Sequence, residues 1–147
     1  MDVFCKLSDA LASMEDVQMR LSPDESAYIV NLTAEEAKQV LEITEEDTAK
    51  TVFESSVSCI GAVTCQVGLR DSQGLLNACV KAVREVQIPD GALPQIHISG
   101  CPSSCGTHQV GAIGFRGASK KVDGKVQSAY VLYVDGNEKQ GQEVLGE

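Results

Sequence analysis

The chain has few basic residues and no long apolar run. Only 12 of its 147 residues are Lys or Arg, against 21 Asp or Glu, so the formal net charge is -9. Binding to a phosphate backbone depends on clustered Lys and Arg, and we therefore expect no nucleic-acid partner. No apolar stretch is long enough to span a bilayer, and the opening MDVFCKLSDALASMED lacks the basic segment of a signal peptide. We expect a cytoplasmic protein with no membrane partner.

The chain does contain six cysteines. A reducing cytoplasm keeps thiols free, which favours metal binding over a disulfide framework. Two of them, Cys5 and Cys79, fall at apolar positions of predicted helices, where core packing accounts for them. The other four form two pairs, Cys59 with Cys65 and Cys101 with Cys105.

Each pair lies where a predicted strand runs into a loop that contains Gly, in SCIGAVTC and SGCPSSC. Small residues let backbone amides approach bound sulfur, and such hydrogen bonds tune iron–sulfur centres. Four thiolates on two loops suit a [4Fe-4S] cluster. Zinc is the competing metal, although its structural sites favour cysteines separated by about two to four residues, which fits only the second pair. A set of unliganded buried cysteines is the third alternative, and spacing alone leaves all three open.

The first third of the chain predicts an α+β arrangement. Apolar residues at helical spacing from Phe4 to Met14 predict a helix, and the runs DVQMRL and AYIVNL predict a hairpin. Thr33 and Glu36 form a capping box at the start of a second helix, which we expect to end near Ile43.

The remainder predicts strands around one helix. TVFESSVSC reads as a strand before the first cysteine pair, and QIHIS, GAIGF and QSAYVLYV read as later strands, the last two joined by a turn at Asp123 and Gly124. Asp71 or Ser72 is expected to cap a helix that continues to about Val86. Its expected buried residues are Leu75, Ala78, Cys79, Ala82 and Val83.

The motifs C-x5-C, GLRDSQGL and QIHISGCPSSCGTHQVGAIGFRG, in this order, resemble the iron–sulfur and siroheme region of the sulfite and nitrite reductases. The resemblance covers residues 55–135, and residues 1–48 resemble, less strongly, the ferredoxin-like half-domain that precedes this region. It implies an α+β fold, with residues 1–48 as a partial ferredoxin-like half-domain packed on a mixed α/β 4Fe-4S and siroheme domain, residues 49–147. It also implies a fragment, since the family has a further strand before the first helix and a further segment after LGE.

The resemblance implies two cofactors, a [4Fe-4S] cluster and siroheme. Arg20 matches the Arg of the family's R-x-T-x-x-Q-N stretch, and Ser103 stands where an Asn is common, so both are expected siroheme contacts. Asp24 and Glu25 stand where neutral amide residues are common, and their carboxylates would repel those of siroheme. By position the cluster ligands are Cys59, Cys65, Cys101 and Cys105, the last of which also bridges to the siroheme iron.

The implied function is multi-electron reduction of a small oxyanion, sulfite or nitrite, as part of a larger oxidoreductase. The implied partners are a second reductase repeat or subunit and an electron donor such as ferredoxin or a flavoprotein, and we expect the isolated chain to be poorly active. Two alternatives remain: an electron-transfer or regulatory 4Fe-4S module without siroheme, and a relative of the monooxygenase-like enzyme of corrin biosynthesis.

No residue is assigned a catalytic role from sequence. His97 alternates with apolar residues on a strand and His108 follows the second cysteine pair, so both are possible proton donors, but a structural or surface role is favoured. The run Gly111, Gly114 and Gly117 lacks the strand-to-helix context of a nucleotide loop, and we expect it to allow close packing beside the cofactor.

Overall fold

A computed structural model describes residues 3–22, 26–45 and 47–147. The chain divides into two compact units, residues 1–49 and 50–147, which are described separately. Within the described ranges, no helix is long and apolar enough to cross a membrane.

The first unit has the element order predicted from its sequence. Helix α1 spans Val3–Leu11, strands β1 (Gln18–Leu21) and β2 (Ala27–Val30) form an antiparallel hairpin, and helix α2 spans Ala34–Thr44. The capping box is confirmed, because the Thr33 side chain accepts from the Glu36 N–H and the Glu36 carboxylate accepts from the Thr33 N–H. Asp24 and Glu25 lie outside the described residues.

The packing role expected for Cys5 is wrong. Its side chain is exposed on α1, and the whole helix buries no residue fully.

The second unit is built on a four-stranded mixed sheet. Its strands are β3 (Val57–Ser58), β4 (Ile96–Ser99), β5 (Ile113–Val122) and β6 (Lys125–Val134), in that spatial order. The β3–β4 and β4–β5 pairs are parallel, and β5–β6 is an antiparallel hairpin. Helix α3, Ser72–Val86, connects β3 to β4, and Asp71 caps it by accepting from the Gly74 N–H. These elements confirm the α+β fold class.

Helix α3 covers the apolar face of this sheet. Ile98 is fully buried and lies in one cluster with Phe53 and Ile96. The core role of Cys79 is confirmed, and burial raises the pKa of its thiol. The predicted buried positions of Ala78 and Ala82 are wrong, because both residues are exposed. The helix residues that pack on the cluster are Leu75, Leu76, Cys79, Val80 and Val83.

The predicted strand TVFESSVSC is mostly wrong. A short 3-10 helix occupies Phe53–Ser55, and only Val57–Ser58 is strand. Hydroxyl groups compete here for backbone partners, since the Ser55 side chain donates to the Val52 carbonyl and that of Ser56 donates to the Phe53 carbonyl. Such local bonds favour turns over strand pairing.

Candidate metal centre

The two cysteine loops start at the same edge of the sheet. Strands β3 and β4 are parallel neighbours, with Ser58 beside Ile98, so the residues that follow them leave the sheet together. Cys59 comes directly after β3, and its N–H donates to the Ile98 carbonyl over 3.0 Å. Cys101 comes two residues after the end of β4.

Backbone hydrogen bonds fasten the first loop, residues 59–71, to the second, residues 99–106. The N–H groups of Leu69 and Arg70 both donate to the Gly100 carbonyl, over 3.0 and 2.9 Å. The first loop also closes on itself, because the Cys65 N–H donates to the Gly61 carbonyl over 2.8 Å. Main-chain bonds thus join the loop of Cys59 and Cys65 to the residue that precedes Cys101.

Glycines make this close approach possible. A Cβ on Gly100 would lie 2.6 Å from the Arg70 carbonyl oxygen, and one on Gly106 would overlap the Ile98 carbonyl. A larger residue at either place would push the loops apart.

The four sulfur atoms have different surroundings. All four cysteines are free thiols; Cys101 is buried, Cys59 and Cys65 are half-buried, and Cys105 is exposed. The Cys59 sulfur accepts from the Gly100 N–H over 3.1 Å. Hydrogen bonds from the Ser103 hydroxyl and N–H lower the pKa of the Cys101 thiol, which favours the thiolate that metals require.

No three His, Cys, Asp or Glu side chains within the described ranges converge as ligands of a single metal ion. A [4Fe-4S] cluster attaches each thiolate to a different iron and does not require such convergence. The donor set, four thiols with N–H and O–H donors to sulfur, is of the kind such a cluster uses.

Buried polar side chains hold the loop that carries Cys105. They lie on the sheet face opposite α3, where His97, Ser99 and His108 are almost inaccessible to solvent. The Ser99 hydroxyl accepts from the Gly106 N–H over 3.1 Å and lies 2.8 Å from His108 Nδ1. His97 Nδ1 lies 2.8 Å from the Thr107 hydroxyl. Both histidines therefore anchor residues that follow Cys105, and the structural role favoured from sequence accounts for their placement.

His108 and a cationic side chain, Arg116, both lie against Tyr133. The His108 ring packs on that of Tyr133, with centroids 4.8 Å apart, and the Arg116 guanidinium lies 5.8 Å from the centre of the same tyrosine ring. Burial, with a smaller contribution from the Arg116 charge, lowers the pKa of His108. Both effects favour the neutral form of the imidazole.

The expected siroheme contacts are divided between the two units. Arg20 is exposed on β1 of the first unit, where its guanidinium donates to the Gln18 side chain over 3.2 Å. Ser103 lies in the second cysteine loop and is bonded to Cys101.

The glycine run packs against the chain itself. A Cβ on Gly111 would strike the His97 ring at 2.7 Å, and one on Gly114 or Gly117 would overlap the carbonyl of His108 or Gly100. The absence of side chains at these glycines lets His97, His108 and Gly100 pack closely against the backbone.

Sequence reasoning missed two residues at the centre, Arg70 and Ser72. Both lie in GLRDSQGL, where Ser72 is expected only as a possible cap of α3 and Arg70 has no predicted role. The Arg70 Nε is buried without a hydrogen-bond partner, and Ser72 is fully buried against Cys59. Their position just after a cysteine pair and before a helix was the available signal.

Comparisons with known proteins agree with the motifs. No protein-family model matches the chain. It is 25% identical, over 93% of its length, to the sulfite reductase [NADPH] hemoprotein beta-component of Bacillus licheniformis, and covers 25% of that protein. It is 35% identical, over 56% of its length, to the ferredoxin–nitrite reductase of Leptolyngbya laminosa, and covers 16% of it.

A solved structure shares the fold. The NirA protein of Mycobacterium tuberculosis aligns with 98% of the chain at a TM-score of 0.73 and 17% identity, over 27% of its own length. The chain thus spans about a quarter or less of each of these proteins. The predicted resemblance is confirmed: the chain is related to one segment of the sulfite and nitrite reductases.

Proposed function

We propose that this chain is a cofactor-binding segment of a sulfite or nitrite reductase, in which Cys59, Cys65, Cys101 and Cys105 hold a [4Fe-4S] cluster. The observation that carries the proposal is the junction of the two cysteine loops at one sheet edge, fastened by the paired bonds to the Gly100 carbonyl. Relatives whose names specify a hemoprotein of sulfite reduction and a nitrite reductase support it.

The exposure of Cys105 suits a second role for its sulfur. Of the four proposed ligands it alone is exposed, so its thiolate is accessible to a further metal centre. We infer that Cys105 would be the ligand shared by the cluster and siroheme, as the family resemblance implies. Siroheme would supply the redox chemistry for multi-electron reduction of a small oxyanion.

The chain's own contribution is to bind and orient anionic groups. Arg20 and Ser103 are the proposed siroheme contacts from the motifs, and Arg70 adds a guanidinium with a free buried Nε beside the cysteine loops. Guanidinium groups bind carboxylates bidentately, which suits an acidic tetrapyrrole. The electron donor would be a ferredoxin or an NADPH-dependent flavoprotein, and a second repeat or subunit would complete the site. We place the protein in the cytoplasm.

A second candidate is an electron-transfer or regulatory module that keeps the cluster without siroheme. The charge distribution favours it, since residues 1–49 contain twelve Asp or Glu and three Lys or Arg. Such a surplus of carboxylates disfavours an acidic tetrapyrrole at that unit.

The test is anaerobic reconstitution of the chain with iron, sulfide and siroheme. Iron and sulfide analysis measures the cluster, and the visible spectrum distinguishes its broad absorption from the strong red band of siroheme. Uptake of both supports the reductase segment, and a cluster without siroheme supports the second candidate. A chain that takes up neither contradicts both.

A further inference from the structure

The Ser72 hydroxyl is buried against the first proposed cluster ligand. Ser72 is the first residue of α3 and is completely inaccessible to solvent. Its hydroxyl donates to the Cys59 carbonyl over 2.7 Å, and its Oγ lies 3.2 Å from the Cys59 sulfur. One hydroxyl therefore faces two acceptors of the same residue.

Both cysteine loops pass close to this hydroxyl. A Cβ on Gly61 would approach Ser72 Oγ to 2.6 Å, and one on Gly100 would approach it to 3.5 Å. The preceding residue, Asp71, caps the helix and ties the backbone of Ser72 to its first turn. Ser72 is enclosed, since it is completely inaccessible to solvent, and the hydrogen of its hydroxyl can rotate about the Cβ–Oγ bond.

The hydrogen-bond donors and acceptors around Cys59 change when its sulfur binds a metal. A protonated thiol can donate its S–H to Ser72 Oγ while the hydroxyl donates to the carbonyl. A metal-bound thiolate has lost that proton and only accepts. The Gly100 N–H already donates to this sulfur over 3.1 Å, so the Ser72 O–H becomes its second nearby donor.

We propose that Ser72 is a positioning residue that raises the reduction potential of the cluster. When Cys59 binds iron, the Ser72 hydroxyl turns from the carbonyl to the thiolate. Hydrogen bonds to cluster sulfur stabilise the reduced form, because it carries one more negative charge than the oxidised form. The inference rests on the proposed function, since it requires a cluster on Cys59.

The test compares Ser72→Ala, which removes the hydroxyl, with Ser72→Thr, which keeps it. Each reconstituted chain is titrated anaerobically with dithionite as the electron source, and the midpoint potential is read from the electron paramagnetic resonance signal of the reduced cluster. Ser56→Ala is the matched control, because Ser56 also bonds main-chain groups but lies before β3. We expect a lower midpoint for Ser72→Ala, and values close to the parent chain for Ser72→Thr and Ser56→Ala.

Two results would overturn the proposal: a Ser72→Ala midpoint equal to that of the parent chain, or a Ser72→Thr midpoint as low as that of Ser72→Ala. If Ser72→Ala does not retain its cluster, Ser72→Gly also removes the hydroxyl and is judged by the same criterion. A parent chain without a cluster refutes the proposed function and this inference together. A parent chain with a cluster and an unshifted variant refutes the role of Ser72 alone.

Discussion

At the scale of single residues, the loop that carries Cys105 depends on buried hydrogen bonds rather than on apolar packing. Ser99 connects the Gly106 N–H to His108, and both side chains are buried. Removing one member leaves a buried polar partner unsatisfied, which costs about 1–3 kcal/mol. The loop is therefore sensitive to single substitutions on the polar face of the sheet.

His108 makes the stability of the metal-free chain depend on pH. Its pKa is lowered from the ordinary value of 6.5 by burial and by Arg116, so below that pH the unfolded chain binds more protons than the folded one. The stabilisation is complete above 6.5 and is lost as the pH falls towards the lowered value. Urea unfolding between about pH 5 and about pH 8 should show this fall.

His108→Gln supplies the control for that pH profile. The Gln amide can still bond Ser99 but does not titrate, so the fall in unfolding free energy below neutrality should be smaller than in the parent chain. An identical pH profile in the two chains would contradict the assignment to His108.

At the scale of elements, charged side chains make hydrogen bonds at both ends of α3. Its first turn is capped by Asp71, whose carboxylate accepts from the Gly74 N–H over 2.9 Å. Near its last turn, Arg84 donates to Glu54 in the short 3-10 helix over 2.7 Å. The helix thus follows the first cysteine loop directly at its first turn, and near its last turn it is bonded to the 3-10 helix that precedes β3.

Loss of the Asp71 cap should destabilise the second unit. We expect Asp71→Ala to lower the free energy of unfolding by about 1 kcal/mol, because it leaves an N–H of the first turn without its side-chain acceptor. Asp71→Asn keeps a side-chain acceptor and should stay close to the parent chain. Urea unfolding followed by circular dichroism measures both variants, and equal losses would show that charge rather than capping matters here.

The stabilisation from the Glu54–Arg84 ion pair should be lost in strong acid. The hydrogen bond from Arg84 lowers the pKa of Glu54 to about 2, from 4.5. Its stabilisation is therefore present above pH 4.5 and is lost as the pH falls towards about 2. Glu54→Gln should lower the melting temperature at neutral pH and have a smaller effect in strong acid.

Glu85→Gln is the matched control for this pair, since Glu85 contacts Lys81 only at 3.9 Å with both side chains exposed. Exposed pairs of this kind contribute little to stability. A loss at neutral pH as large as that of Glu54→Gln would contradict the account.

Local chemistry decided which elements could be predicted. Short local motifs predicted three elements correctly: the capping box at Thr33 begins α2, the Asp71 cap begins α3, and the Asp123–Gly124 turn joins β5 to β6. The 3-10 helix at Phe53–Ser55 was not predicted. The β-branched residues around it favour a strand, but a serine hydroxyl donates to a backbone carbonyl there and stabilises a turn.

The site could be predicted only in part. The cysteine motifs predicted the ligand set, which remains a prediction. The contacts of Ser72 with Cys59 and of Thr107 with His97 join residues 13 and 10 positions apart, and only the fold brings them together.

At the scale of the whole molecule, charge is distributed very unevenly. Residues 50–147 contain equal numbers of acidic and basic residues, so the first 49 residues account for the whole net charge of -9. This asymmetry bears on siroheme rather than on the cluster, because the four cysteines all lie in the neutral unit.

Neutralising two of these carboxylates should favour siroheme. We expect Asp24→Asn combined with Glu25→Gln to bind siroheme more tightly than the parent chain, because two charges that repel its carboxylates are removed. Glu35→Gln combined with Glu42→Gln makes the same change in net charge on α2. Absorbance titration measures the siroheme affinity of each chain. An equal gain in affinity in both double variants would assign the effect to overall charge and contradict a local role of Asp24 and Glu25.

The central claim is that four of the six cysteines hold an iron–sulfur cluster. The most direct measurement is the iron and acid-labile sulfide content of the anaerobically reconstituted chain, compared with single Cys→Ser variants. We expect about four irons and four sulfides per parent chain and per Cys5→Ser variant, and a marked loss in the variants of Cys59, Cys65, Cys101 and Cys105. Unchanged iron and sulfide in those four variants, or zinc in place of iron in the parent chain, would contradict the account.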